Sequence, residues 1–240
     1  MLKVLDFQSN FDKKYYNKNI MHKLIRKEYI NENLFKIFFD KKDLEFFPGQ
    51  HFSLSIPNKS INREYSSYTS SNDKELGFLI RRVEGGIMTN LLDKMQVGDE
   101  LNIYGPYGSF VLKEEYIKNK QIIFIASGTG IAPFVSMKET YNLDNYKLFV
   151  GIRETRDLAD AEKFDESKSY YCISREDNIS KNNHYKGRIN TQLEKIEYIK
   201  DFENSIYMIC GNSYMISDVY DILVKEKKIN PNNIITESFF

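Results

Sequence analysis

At 240 residues the chain is long enough for one large domain or two modest ones, each with its own core. Its 34 Lys+Arg against 34 Asp+Glu leave no net field to recruit nucleic acid or an anionic membrane. No apolar run reaches the roughly 18–20 residues of a membrane-spanning helix, and two cysteines without CxxC spacing exclude an iron–sulfur or zinc site made from this chain's thiols.

The first residues carry no signal-peptide core, so a reducing, cytoplasmic setting is expected. Residues 1–20 form an Asn- and Lys-rich lead. From Asp12 to Glu28 there is no acidic residue, while Lys13, Lys14, Lys18, Lys23, Arg26 and Lys27 fall inside. That reads as a solvated terminus running into a first strand, with a docking strip for an acidic partner as the alternative. His22, His51 and His184 sit in unrelated contexts and are read as structural or surface residues, with no metal site.

Between residues 23 and 102 the signals are β. Short β-prone segments at 34–39, 52–56, 76–83 and 100–104 are separated by Pro48-Gly49, Pro57-Asn58, Asn72-Asp73 and Gly98-Asp99. A Ser/Thr/Tyr-rich strand is expected over 66–71, and one helix over 88–95 after Gly85-Gly86. Short strands at this spacing predict a closed antiparallel barrel. Residues 113–120 are polar, and a boundary is placed near 112–120. Beyond it, strands at 122–126, 147–152, 170–174, 205–210 and 233–237 alternate with helices at 133–141, 187–197 and 213–227, which predicts a parallel sheet of βαβ units.

Four strand ends in this second half carry candidate ligand residues, as nucleotide sites in open parallel sheets require. After 122–126 come Ser127-Gly128-Thr129-Gly130 and a helix with Pro133 expected at its first position. Two glycines and a helix N-terminus outline a phosphate loop, although Ile131-Ala132-Pro133 stands where a third Gly would complete the dinucleotide fingerprint. Arg153, Arg175 and Arg188 follow the next strand ends and a Gly187 turn. Arginine there suits a 2′-phosphate better than a ribose hydroxyl. Cys210-Gly211-Asn212 precedes the last helix. In the first half, Arg63-Glu64-Tyr65-Ser66 offers a cation, a flat ring and a small hydroxyl, and Gly85-Gly86-Ile87-Met88-Thr89 opens a helix as a second anion site. Two phosphate loops in two halves imply two nucleotides.

Taken in order, Arg63-x-Tyr65-Ser66, Gly86-x-x-Thr89-x-x-Leu92, Gly98-Asp99, Gly105-Pro106-x-Gly108-x-Phe110, Gly128-Thr129-Gly130-x-Ala132-Pro133-Phe134, Ser174-Arg175-Glu176, Gly187-Arg188, Cys210-Gly211-Asn212-x-x-Met215 and Glu237-x-Phe239-Phe240 resemble a ferredoxin–NADP reductase of the bacterial type over about residues 23–240. The resemblance implies an antiparallel β-barrel flavin-binding domain (21–113) followed by an α/β parallel-sheet nucleotide-binding domain (120–240), with 1–20 unassigned. It implies FAD and NADP as cofactors, NADPH as substrate, and ferredoxin or flavodoxin as partner.

On that pattern Tyr65 stacks on the flavin ring, and Ser66 hydrogen-bonds near its N5. Arg63, Gly86 and the turn of Ile87, Met88 and Thr89 hold the FAD pyrophosphate. Gly128, Thr129, Gly130 and Pro133 take the NADP pyrophosphate, while Arg153, Arg175 and Arg188 grip the 2′-phosphate. Cys210, with Gly211 and Met215, flanks the nicotinamide. Glu237 relays protons, and Phe239 and Phe240 cover the other flavin face. The family often ends in Tyr or Trp where this chain has Phe239-Phe240, and Thr89 replaces a commoner Ser. Two rivals share the plan: a reductase of free flavin or ferric chelates, and a non-catalytic electron-transfer subunit of a larger complex.

Overall fold

Side chains along a strand alternate between its two faces, and the second strand of the first half uses both. In LFKIFFD, Phe35, Ile37 and Phe39 point into one core with Leu54, Leu76, Phe78 and Ile80. Leu34 and Phe38 point the other way, into a cluster shared with the second half. Lys36, on that same face, forms a largely buried ion pair with Asp160 of the second half. The structure, a computed structural model, describes residues 21–57, 59–179, 181–194 and 204–239.

The first half is a six-stranded antiparallel sheet. Its strands are β1 (Met21–Asn31), β2 (Leu34–Asp40), β3 (His51–Ser55), β4 (Asn62–Ser66), β5 (Glu75–Arg81) and β6 (Glu100–Tyr107), in the order β4-β3-β6-β1-β2-β5. Helix α1 (Ile87–Lys94) presses Met88 and Leu92 onto it, one helical turn apart.

The strand expected over 66–71 is instead 62–66, and the reason lies in where its backbone groups go. Beyond Ser66 the chain turns to bridge the two edge strands. Ser67 N–H donates to Gln50 O (3.0 Å) and Tyr68 N–H to Gly77 O (2.8 Å). Thr69 Oγ1 donates to Glu75 O (3.1 Å) and accepts from Gly77 N–H (3.0 Å). An irregular segment closes the barrel where a regular strand was expected.

The polar linker contains a short helix that the residue pattern did not signal, α2 (Glu114–Asn119). The second half is a six-stranded parallel sheet: β7 (Gln121–Ser127), β8 (Tyr146–Ile152), β9 (Ser169–Ile173), β10 (His184–Lys186), β11 (Ser205–Asn212) and β12 (Ile234–Phe239), in the order β10-β9-β8-β7-β11-β12. Its central strands are covered on both faces, so they read as unbroken apolar runs. In β7, Ile122, Phe124 and Ala126 face the shared core, and Ile123 and Ile125 face a third cluster.

Helices α3 (Ala132–Tyr141), α4 (Ile189–Glu194) and α5 (Ser213–Asp221) cover the sheet. Pro133 occupies the second helical position, not the first, because Ala132 opens α3. The helix expected over 187–197 begins only at Ile189, and its predicted last residues lie outside the described ones. The helix expected over 213–227 ends as α at Asp221 and continues as a π-turn, Ile222–Glu226. Strand β10 is three residues long and gave no sequence signal. No described helix is long and apolar enough to cross a membrane.

Candidate functional site

The chain runs outward from β7 to β10, then returns to β11 on the other side of β7. Strand order therefore reverses between β7 and β11, and ligand crevices of open parallel sheets lie at the carboxyl ends of the strands at such a point. There the 3₁₀ turn Gly128–Ile131 follows β7, and Cys210-Gly211-Asn212 ends β11. The two turns touch backbone to backbone. A Cβ on Gly130 would collide with the Cys210 carbonyl, and one on Gly211 would lie 2.8 Å from Ser127 O. Ser127 Oγ accepts the Asn212 N–H at 2.9 Å. Gly130 thus serves the packing of two turns. Gly128, at φ +54° with open space around its Cα, faces the cleft.

That cleft, about 1410 Å³, lies between the two sheets. It exceeds the roughly 300–1,000 Å³ of a single-ligand pocket, so two nucleotides have room. One wall carries Arg63, Tyr65 and Ser66 from β4, with Gly86, Met88 and Thr89 at the start of α1. The other carries Gly128, Thr129, Arg153, Arg175, Arg188, Gly211 and Met215, and β12 contributes Glu237 and Phe239.

Four candidates from the sequence do not line the cleft. Gly130 and Pro133 are buried beneath the turn. Ile87 projects into solvent. Cys210 is fully buried, because the alternation of β11 turns its thiol into the shared core with Ile206 and Met208. Phe240 lies outside the described residues. Conversely, Arg81, Asp157, His51 and Tyr214 line the cleft without having been singled out for it. Tyr214 at 82% exposure in the first turn of α5, and the Arg81–Asp157 pair (3.2 Å) between the end of β5 and the turn after β8, come together by a convergence no local pattern announces.

Electrostatics separate the arginines. Arg81 is paired with Asp157, Arg82 with Asp93, and Arg156 with Glu32 and Glu154. Among the described residues no carboxylate neutralises Arg63, Arg153, Arg175 or Arg188, and all four are exposed to the cleft. Arg175 N–H donates to Arg153 O (2.9 Å), which holds two of these cations on adjacent strand ends. Uncompensated guanidinium groups lining a concave surface carry a charge and a donor geometry that match phosphate.

Across the cleft floor, Ser66 Oγ donates to Glu237 Oε1 at 2.9 Å. Burial pushes the Glu237 carboxyl up to about 7, against the Ser66 hydrogen bond and with help from the Glu64 charge. Burial likewise pushes the Tyr65 phenol up to about 12. Because folding raises the Glu237 pKa from 4.5, the folded state prefers the protonated acid. Its contribution to stability is complete below pH 4.5 and is lost as pH rises through about 7. Glu237→Gln should flatten that loss, by about 2–3 kcal/mol between pH 4.5 and 8. Denaturant unfolding of the flavin-free protein at several pH values checks this; parallel curves for the two proteins would contradict it.

Comparisons with known proteins find the same two halves in the same order. The matching family models are an oxidoreductase FAD-binding domain over residues 21–112 and an oxidoreductase NAD-binding domain over residues 124–221. The toluate 1,2-dioxygenase electron transfer component of Pseudomonas putida is 31% identical over 208 residues, covering 82% of this chain and 59% of the relative. The flavodoxin/ferredoxin–NADP reductase of Buchnera aphidicola is 29% identical over 230 residues, covering 84% of this chain and 88% of the relative. The chain spans less than two thirds of the length of the dioxygenase and monooxygenase relatives it matches, 59% for the toluate component and 34% for a propane 2-monooxygenase reductase component of Mycolicibacterium smegmatis. In fold it matches a ferredoxin NADP⁺ reductase from Neisseria gonorrhoeae with bound FAD and NADP, at a TM-score of 0.80 and 20% identity over 92% of this chain and 98% of that one. With both halves matched in that order, the chain belongs to the ferredoxin reductase family of FAD- and nicotinamide-binding oxidoreductases.

Proposed function

We propose that this chain is an FAD-dependent reductase in the cytoplasm that exchanges hydride with NADP(H) and single electrons with ferredoxin or flavodoxin, its two units meeting at 113–120. The observation that carries the reading is the cleft at the strand-order reversal, with a cationic, aromatic wall on one side and, on the other, three arginines that no carboxylate pairs among the described residues. The donor set fits two dinucleotides: four guanidinium groups without a carboxylate partner among the described residues, the first N–H groups of α1, the open turn at Gly128, and the Tyr65 and Phe239 rings.

Arg63 and the backbone of residues 86–89 are assigned to the FAD pyrophosphate, with the Tyr65 face against the flavin ring. Thr89 Oγ1 already accepts the Val83 N–H at 3.1 Å, which fixes the turn before α1. FAD bound here supplies hydride acceptance from the nicotinamide and release of electrons one at a time. Gly128 and Thr129 are assigned to the NADP pyrophosphate, and Arg153, Arg175 and Arg188 to its 2′-phosphate. The short Ser66 side chain donates a hydrogen bond without blocking approach, and Glu237 stores the proton it shares. Cys210 acts from below, by holding the turn that Gly211 and Gly130 bring together. Phe239, half-buried at the end of β12, covers the face the nicotinamide must reach.

A visible spectrum of the purified protein, titrated anaerobically with NADPH, tests the reading. Flavin absorbance that bleaches stoichiometrically is expected; colourless protein that cannot be reconstituted with FAD overturns it. Removal of residues 239–240 should tighten NADP⁺ binding by about tenfold or more, since the ring no longer competes for that face. An unchanged dissociation constant would remove the gating role. The similarity to the toluate component favours a second reading, in which the one-electron acceptor belongs to an oxygenase system. Rates of NADPH-driven reduction of purified ferredoxin, flavodoxin and oxygenase components distinguish the two.

A further inference from the structure

His51 reads from sequence as a structural or surface residue, yet strand pairing puts it beside the Ser66–Glu237 pair. β3 pairs with β4 so that His51 is directly opposite Ser66, and with β6 so that it is opposite Tyr107. Directly opposed residues of antiparallel strands share a face. Gly108, just past β6 at φ +90°, lets the imidazole pack close against the backbone there. A Cβ on it would lie 2.8 Å from His51 Nδ1 and 3.9 Å from Glu237 Oε2. The imidazole and the carboxyl therefore both border Gly108, and both line the solvent-reached cleft beside Ser66, a setting in which water bridges polar groups. On the outer side, His51 Nε2 lies 3.7 Å from Glu64 Oε2, and the Glu64 side chain is 64% exposed.

We propose that His51 is the relay residue that exchanges protons between Glu237 and solvent, with Gly108 allowing the imidazole its place beside Glu237 and Glu64 standing on the solvent side. The inference rests on the reading of Ser66 and Glu237 given above. A proton leaves Glu237 Oε2 through water to His51 Nδ1, giving carboxylate and imidazolium. The imidazolium then releases its Nε2 proton to the Glu64 carboxylate or to bulk water, and the ring tautomer resets by exchange with water. One proton has moved from Glu237 to solvent, and no electron has moved.

The surroundings suit that task. His51 faces Glu64 on β4, Tyr107 on β6 and Glu237 on β12; Glu237 faces Ser66 and Glu64 on β4, Cys210 on β11 and His51. Burial pushes the imidazole below its ordinary value, against the pull of Glu64, and raises Glu237 to about 7. Neither group then holds its proton too tightly to pass it on near neutral pH.

His51→Gln keeps the polarity and removes the titration. In the purified chain, the ¹³C-carboxyl titration of Glu237 should show two inflections, its own and that of His51, and lose the second in His51→Gln. In the FAD-loaded protein, proton exchange followed with an indicator dye during NADPH reduction should slow at least tenfold, while bleaching of the flavin changes less than twofold. Gly108→Ala, with His51 retained, should slow proton exchange in the same way by forcing the imidazole away from Glu237. A Glu237 titration that superimposes on wild type, together with unchanged proton exchange in His51→Gln, overturns the relay. If NADPH does not bleach the flavin even in wild type, the reductase reading falls, and the coupled titration decides the relay by itself.

Discussion

Replacing Arg153, Arg175 and Arg188 with glutamine should erase selection of NADPH over NADH. Each guanidinium sits at the carboxyl end of the second sheet or at the start of α4, lines the cleft, and has no carboxylate partner among the described residues. A charge-assisted hydrogen bond to phosphate contributes about 1.5–3 kcal/mol. Each single replacement should therefore weaken NADPH by about 10–150-fold, while NADH, which lacks the 2′-phosphate, barely changes. All three line one cleft and are assigned to one phosphate, so their effects should fall short of additive. Steady-state kcat/KM for both nucleotides, at low and high salt, is the measurement. Wild-type protein that uses NADH as well as NADPH would sink the clamp outright. A salt-insensitive preference would show that something other than charge makes the choice.

The second large effect is on the seam between the halves. Asp160→Ala should destabilise the protein by about 3–5 kcal/mol, because removing one partner of a buried ion pair leaves the other charge uncompensated. The Asp160 side chain is 1% exposed and Lys36 11%. Residual help comes from Glu28, 3.7 Å from Lys36 Nζ, so the lower end of that range is expected. Asp160 also occupies a left-handed backbone position (φ +54°), which Asp tolerates better than Ala. The double variant Lys36→Met with Asp160→Asn separates the two causes. It removes both charges and keeps a residue suited to the turn, and most of the lost stability should return. Denaturant unfolding gives both numbers; a loss under 1 kcal/mol for Asp160→Ala would mean that the seam is held by its apolar contacts alone.

Much of the architecture was legible in the residues because the signals were local. IIFIA between a polar linker and a glycine turn is what a strand buried on both faces looks like, and β7 forms there. The spacing of Pro48-Gly49, Asn72-Asp73 and Gly98-Asp99 marked the turns of the antiparallel half. The arginines after β8 and β9 were found because a polar residue just past an apolar run sits at a strand's carboxyl end whatever the rest of the chain does. Where the local pattern was weak, the reading slipped. NREYS carries one large apolar side chain because β4 faces the cleft and solvent, so it gave no alternation to count. HYK is a three-residue strand stabilised by pairing with β9, which no propensity reports.

The glycine turns, the order of strands and helices, and the arginines just past the strand ends were determined by the sequence itself, since each depends on residues within a few positions of one another. Only the tertiary structure decided which side chains share the cleft. The alternation of β11 sends Cys210 into the core, backbone contact between two turns claims Gly130 for packing, and the pairing of β3 with β4 and β6 carries His51 to Ser66 and Glu237. Those outcomes depend on register between segments far apart in the chain, and register is set by the burial of whole faces.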